Sequence, residues 1–375
     1  MIEYFSLYDI SYGIALWLVN LVNGLLYWIG GAGTDLANWL KGGNVLLFFT
    51  IIIEIVIMVV FFLVNLLIVL YIERKLYARL QDRRGIMLPV IPGLRYGSGF
   101  WQNLADGLKL FLKEAVTPKA ADKWMYSTAI VIFVASSLVV FAAFPFSEGF
   151  YVTNPRLGIL YLMAAFSLAP LAILIGGWAS NNKYTLIWGI RSAVMMISYE
   201  IPMLLCIVGV VVLAGTLNPV EIVLRQRETA YLGLESWYFI PQMLGLVIFS
   251  VAAVAELERL PFDLPEAEAE LVEGWTTEYG GIKYGFIFMV KWLRAFAAAA
   301  LIALLYFGGW SGPFLPQEVW FLIKTWLIFV SFVFISWSLP RVRIDQMLNI
   351  GWKALIPLAI VNIFIAVGLR MAGVF

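Results

Sequence analysis

Val45-Leu46-Leu47-Phe48-Phe49-Thr50-Ile51-Ile52-Ile53-Glu54-Ile55-Val56-Ile57-Met58-Val59-Val60-Phe61-Phe62-Leu63-Val64-Asn65-Leu66-Leu67-Ile68-Val69-Leu70-Tyr71 contains a single charged residue, Glu54. The hydrocarbon core of a bilayer, about 30 Å thick, is crossed by about 20 apolar helical residues, so this run predicts a membrane-spanning helix. Seven more runs pass the same test, at approximately 125–146, 157–178, 199–217, 238–255, 284–307, 319–338 and 351–370. Composition agrees, because 62% of the 375 residues are hydrophobic and only 13% are charged, whereas a soluble globular domain carries about 25% charged residues. The sequence therefore predicts an all-α polytopic membrane protein with eight transmembrane helices.

Working outward from these spans, residues 1–44 hold one further apolar stretch, Ile14 to Ile29, broken by Asn20, Asn23 and Gly24. It reads as an N-terminal interfacial or re-entrant segment ahead of an eight-helix membrane domain at 45–375, with a ninth span as the alternative. It has neither the basic n-region nor the small-residue cleavage site of a removed signal peptide. The cytoplasmic loops are expected at 72–124, 179–198, 256–283 and 339–350, because these carry sixteen Lys and Arg against five in the opposite loops and termini. Within the first of them, apolar residues at Trp101, Leu104, Leu108 and Phe111 have the spacing of an amphipathic helix that lies against other helices or the membrane surface. The 25 basic and 24 acidic residues nearly cancel, which gives no attraction for nucleic acid.

Chemistry is narrowed first by what is missing. With no histidine and one cysteine, Cys206, the chain has none of the usual ligand sets of haem, copper, zinc or iron–sulfur clusters, so no metal or prosthetic group is expected in it. The densest polar feature is Ala255 to Tyr279, which holds eight of the 24 acids: Glu256, Glu258, Asp263, Glu266, Glu268, Glu270, Glu273 and Glu278. Either this is a solvated acidic loop, or it is a partly dry carboxylate cluster whose members cannot all ionise together and so hold or pass protons. Asp263 three residues before Glu266, with Pro265 between, has the form of a helix start. Glu73-Arg74-Lys75 at the end of the first span reads either as a lipid-headgroup anchor or as the frame of a polar doorway. Glu54, Glu200, Lys291, Arg294 and Lys324 fall inside spans, where an unpaired charge facing lipid costs about 2.5–3.5 kcal/mol. Lys291 and Arg294 share a face and suit counter-charges for the acidic cluster, while Glu54 and Lys324 lie nearer the far side, where they either snorkel or serve a role.

Six segments in order carry a family resemblance: Glu73-Arg74-Lys75, Ala105-Asp106-Gly107-Leu108-Lys109-Leu110 with Lys113-Glu114, Ala179-Ser180-Asn181-Asn182-Lys183-Tyr184, Ile197-Ser198-Tyr199-Glu200-Ile201-Pro202, the Arg259 to Glu278 acidic loop, and Leu339-Pro340-Arg341-Val342-Arg343-Ile344-Asp345-Gln346. From about residue 45 onward the chain resembles the quinone-channel membrane subunit of respiratory complex I and related energy-converting dehydrogenases. The resemblance implies tilted helices around a long quinone chamber, quinone as the bound substrate, and a proton-pumping oxidoreductase whose redox centre lies in another subunit. It places Glu73, Arg74, Asp106 and Lys109 in the chamber, and Arg191, Glu200, Glu256, Arg259, Asp263, Glu266, Glu268, Glu270 and Glu273 on the proton-coupling route. It also implies iron–sulfur soluble subunits of a peripheral arm, antiporter-like and small membrane subunits and lipids as partners, in a prokaryotic inner membrane or the equivalent energy-converting membrane of an organelle. The chain departs from the family pattern at Gly85-Ile86, Trp101-Gln102-Asn103 and Met195, which leaves the carrier's identity open. Two other classes compete: the anchor of a related membrane-bound hydrogenase, and a stand-alone secondary transporter, against which the absence of an inverted repeat counts.

Overall fold

The structure is a computed structural model that describes residues 10–17, 43–86, 99–228, 230–231, 234–235, 237–263 and 274–372. Residues 10–17 form a helix, α1; the rest of the N-terminal segment, including most of Ile14 to Ile29, lies outside the described residues. Then follow α2 (Gly43–Leu80), α3 (Phe100–Leu112), α4 (Lys123–Ala142), α5 (Gly158–Ala179), α6 (Lys183–Ala214), α7 (Pro219–Glu228), α8 (Met243–Glu256), α9 (Ile282–Tyr306), α10 (Gln317–Ser338) and α11 (Ile344–Met371). The only strands among the described residues are the two-residue pair Ala230–Tyr231 and Leu234–Glu235.

Among the described residues seven helices, namely α2, α4, α5, α6, α9, α10 and α11, are long and apolar enough to cross a membrane. The eighth expected span, 238–255, is shorter than its apolar run. Pro241 lacks an N–H and disfavours helix in the residue before it, so residues 238–242 turn and α8 keeps 14 residues, about 21 Å at 1.5 Å each. This helix packs on α6 and α11, with Met243 and Val247 left exposed on its other face.

Helix α9 is the centre of the fold. It contacts α2, α4, α8 and α10, and its second half, Ala295 to Tyr306, is buried throughout. The run Ala297 to Ala300 lets neighbouring backbones approach closely, which is how helices pack where lipid is as apolar as leucine. Two irregularities face each other beside Glu200. Pro202 inside α6 removes the N–H that would bond the Ser198 carbonyl, and α11 winds as a π-turn over Ile350–Leu355. They are tied by Tyr199 Oη donating to the Met347 carbonyl at 2.8 Å and Trp352 Nε1 donating to Ser198 Oγ at 3.2 Å.

Candidate functional site

The basic end of α2 carries Glu73 and Arg74 on different faces, and each meets a different partner. Arg74 Nη1 donates to Asp106 Oδ2 at 2.7 Å and to Asn103 Oδ1 at 2.8 Å, Gln102 Nε2 donates to Asp106 Oδ1 at 3.0 Å, and Asn103 Nδ2 reaches back to the Leu67 carbonyl at 3.1 Å. Burial pushes the Asp106 carboxyl up, but the hydrogen bonds from Arg74 and Gln102 and the Arg74 charge outweigh it and hold the group below its usual range. These bonds lay α3 across α2 with Asn103 buried. The apolar face of α3 therefore points outward: Trp101, Leu104, Leu108 and Phe111 are exposed. Between α2, α3 and α9 lies a groove of about 440 Å³, lined by Leu63, Leu66, Leu67, Leu70, Leu104, Leu108, Phe111, Phe286 and Met289, with Arg74, Asp106 and Lys109 among its few polar members.

Tyr284 and Phe288 of α9 line this groove and also a second cavity of about 540 Å³. The second cavity is the more polar of the two: Glu73, Glu258, Arg259, Asp263, Lys291, Ser336 and Arg341 line it together with Leu257, Leu260, Trp292 and Trp337. Arg259 sits 3.5 Å from Glu73, with its guanidinium over the rings of Trp292 at 4.3 Å and Phe329 at 5.4 Å. Glu73 is buried, and its Oε2 has no hydrogen-bond partner. Arg341 Nη2 donates to Asp263 Oδ2 at 3.2 Å. An apolar groove thus lies beside a cavity with charges of both signs, and Tyr284 and Phe288 belong to the walls of both.

Deeper still, α8 ends at Glu256 and the chain turns through Glu258, whose φ of 53° lies in the left-handed region that glycine prefers. On a continued helix Glu256 and Glu258 would point apart. The turn instead places both on a void of about 10 Å³ shared with Lys291 and Arg294, roughly the volume of one water. Arg294 Nη2 bonds Glu256 Oε1 at 2.8 Å, with both side chains almost fully buried. Lys291 Nζ lies 3.8 Å from Glu258 Oε2, and Ser192 Oγ donates to Glu258 Oε1. Burial pushes the Glu258 carboxyl above its usual range, against the pull of Lys291 and Arg294. Glu200, half-buried on α6, is near enough for its charge to act on Glu256.

The structure brings Glu73, Arg259 and Asp263 to one cavity, Arg74, Asp106 and Lys109 to the adjoining groove, and Glu256 with Glu200 to the buried end. Arg191 lines neither cavity; its guanidinium lies over the Trp188 ring at 4.8 Å. Glu266, Glu268, Glu270 and Glu273 lie outside the described residues, as does the expected helix start after Asp263, and so does the Glu54 side chain. Lys324 does not snorkel: it is buried, donating to the carbonyls of Phe307 at 2.7 Å and Ser311 at 2.6 Å beneath the Trp237 ring at 4.4 Å. Ser192 is added by the structure, while Lys291 and Arg294 meet the acids they were expected to balance, and Glu258 of the acidic run and Arg341 take their places beside them. For the two intramembrane cations the signal was their shared face opposite an acidic run; for Ser192 there was none.

Asp263 supplies a pH test. Burial, against the charges of Arg341 and Lys291, pushes its carboxyl up from 3.8 to about 6. The folded chain then holds this proton more tightly than the unfolded one, so stability falls as pH rises from about 4 to about 6 and the loss is complete above that. Asp263→Asn is expected to flatten the dependence of Tm on pH by the equivalent of on the order of 2 kcal/mol. Thermal unfolding of the purified complex between about pH 4 and about pH 7 checks it, and equal slopes for wild type and variant would refute it.

Residues 53–367 match the family model described as NADH dehydrogenase. The chain belongs to this family. Its relatives include proteins named as the H subunit of NADH-quinone oxidoreductase from Bacillus cytotoxicus, 42% identical over 78% of this chain and 86% of the relative, and from Anoxybacillus flavithermus, 41% identical over 86% and 93%. A Bacillus cereus protein of the same name is 43% identical over 78% and 86%. As a member of the NADH dehydrogenase family, the chain is a multi-pass membrane subunit of an oxidoreductase, and the match from 53 to 367 takes in the groove, the polar cavity and the buried carboxylates.

Proposed function

We propose that the chain is the quinone-binding membrane subunit of a proton-translocating oxidoreductase in a bacterial inner membrane, a reading supported by the name its relatives carry. The observation that carries this reading is that an apolar groove and a charged cavity lie side by side, with Tyr284 and Phe288 lining both. An isoprenoid tail would lie in the apolar groove between α2, α3 and α9, where burial of apolar surface favours it at about 25 cal/mol per Å². The headgroup would pass into the polar cavity and meet electrons from an iron–sulfur protein docked on the cytoplasmic face. This chain's own contribution is to admit and orient the quinone and to move protons. Glu73, Arg259 and Asp263 face the chamber, and Glu258, Glu256 and Glu200 lead away from it into the bundle. Glu266, Glu268, Glu270 and Glu273 belong to the same route in this reading, which continues into antiporter-like neighbours. Arg191 stands beside that route on α6.

Arg74 tests the doorway. Arg74→Ala removes a charge-assisted bond to Asp106, worth about 1.5–3 kcal/mol, and frees α3 at the mouth of the groove. The apparent KM for quinone is expected to rise by about tenfold or more, while electron entry from the donor to a water-soluble acceptor stays unchanged. Unaltered quinone kinetics would leave Arg74 as a lipid anchor and remove the doorway from the proposal.

A further inference from the structure

Gln242 and Asn362 are both fully buried amides. Gln242 is the N-cap residue of α8, and Asn362 lies in the membrane-spanning part of α11. Asn362 Nδ2 donates to Gln242 Oε1 at 2.5 Å. Two glycines make room for the bond. A Cβ at Gly245 of α8 would stand 2.7 Å from Asn362 Nδ2 and 2.9 Å from Gln242 Oε1, and one at Gly209 of α6 would stand 2.8 Å and 3.0 Å from the same atoms. Three helices therefore close on one hydrogen bond, with no space for a methyl group on two of them.

The need for such a bond follows from the length of α8. A full span is held at its depth by polar ends in both interfaces, but 14 residues cover about 21 Å of a core of about 30 Å. An apolar helix surface packed on other apolar surfaces has no strong preference for one axial position. A buried polar pair does, because sliding by one turn breaks the bond between two amides whose other atoms, Gln242 Nε2 and Asn362 Oδ1, already lack partners, and so leaves both wholly unmet in a dry interior. The other side of the turn before α8 is tied separately, with the Phe239 N–H donating to the Tyr306 carbonyl at 2.9 Å. The C-terminal end of the same helix carries Glu256, and the turn just beyond carries Glu258.

We propose that the Gln242–Asn362 pair fixes the depth of α8 in the bundle and is thereby a positioning pair for Glu256 and Glu258. This rests on the reading that these carboxylates serve quinone turnover. Replacing one amide leaves the other unpartnered, whereas replacing both with leucine is close to neutral for stability, so the informative variant is Gln242→Leu with Asn362→Leu. Assembled complex is expected at wild-type amounts, with kcat for quinone lowered by about tenfold or more, up to the roughly hundredfold that misplacing a group by about 1 Å can cost, and KM unchanged. Gly245→Ala, which wedges the pair from α8, is expected to give the same split. Should the double variant fail to assemble, Gly245→Ala decides alone, and full kcat per assembled complex in it overturns the proposal. Full kcat in an assembled double variant overturns it equally. Glu256→Gln in the same assay separates the two levels. If it lowers kcat while the pair variants do not, only the positioning role fails. If Glu256→Gln also keeps full kcat, the role of the carboxylate falls first.

Discussion

Arg294→Met is expected to strip assembled complex from the membrane, and adding Glu256→Gln to bring it back without restoring quinone turnover. The two side chains are 4% and 2% exposed and meet at 2.8 Å. Removing one partner of such a pair leaves a lone buried charge, which costs about 3–5 kcal/mol, a large part of a total folding stability of about 5–15 kcal/mol. Removing both charges leaves a neutral amide where the carboxylate stood, a far smaller cost than a lone buried charge, so the fold recovers. The pair is itself a poor stability device, since Arg294 Nη1 and Glu256 Oε2 both lack partners. Its value lies in a titratable oxygen on which the charges of Arg294, Glu200 and Glu258 all act. Complex content on native gels, together with quinone reduction per assembled complex, measures both halves. A double variant that assembles and turns over at the full rate would remove Glu256 from the mechanism.

The spans were legible because apolar run length bears directly on bilayer thickness, and α2 is the clearest case. The same measure misjudged 238–255, where Pro241 diverts the first residues into a turn and hydropathy does not register it. Charge placement was half legible. Lys291 and Arg294 had to find acids, since lipid offers none, and they are paired with Glu258 and Glu256. Glu258 stood in the acidic run, but its turn was hidden, because a left-handed turn residue is ordinarily glycine and nothing in the run Glu256-Leu257-Glu258-Arg259 announces one. Glu73 with Arg259 joins distant parts of the chain, so no local pattern encodes it; the residue types at each end came from the resemblance alone. Lys324 shows the limit of depth arguments. Proximity to the far side suggested an ammonium reaching for water, but the loop after α9 folds back and presents two carbonyls instead. Asn362 and Gln242 went unremarked because single amides in apolar runs acquire meaning only when tertiary packing brings them together.

The groove can be closed from α9. At Gly285 a first side-chain carbon would stand 3.4 Å from Leu110 Cβ, in ordinary contact, so a small residue is tolerated and a large one must extend into the space between α3 and α9. Gly285→Phe puts a ring there, beside Phe286 and Phe288. If tails enter along this groove, a long-tailed quinone loses contacts over several CH₂ groups at about 0.8 kcal/mol each, and its apparent KM rises by on the order of tenfold or more. A short-tailed analogue that needs only the polar cavity keeps its KM to within about twofold. The comparison is internal to one variant, so a general loss of folding or assembly cannot imitate it: that would lower kcat for both substrates and leave their KM ratio unchanged. Arg74→Ala differs in kind, since it perturbs the frame of the mouth and not its bore, and it should raise KM for both quinones. Equal KM changes for long and short tails in Gly285→Phe would mean that the tail takes another way in, and the polar cavity would then need a different connection to the lipid.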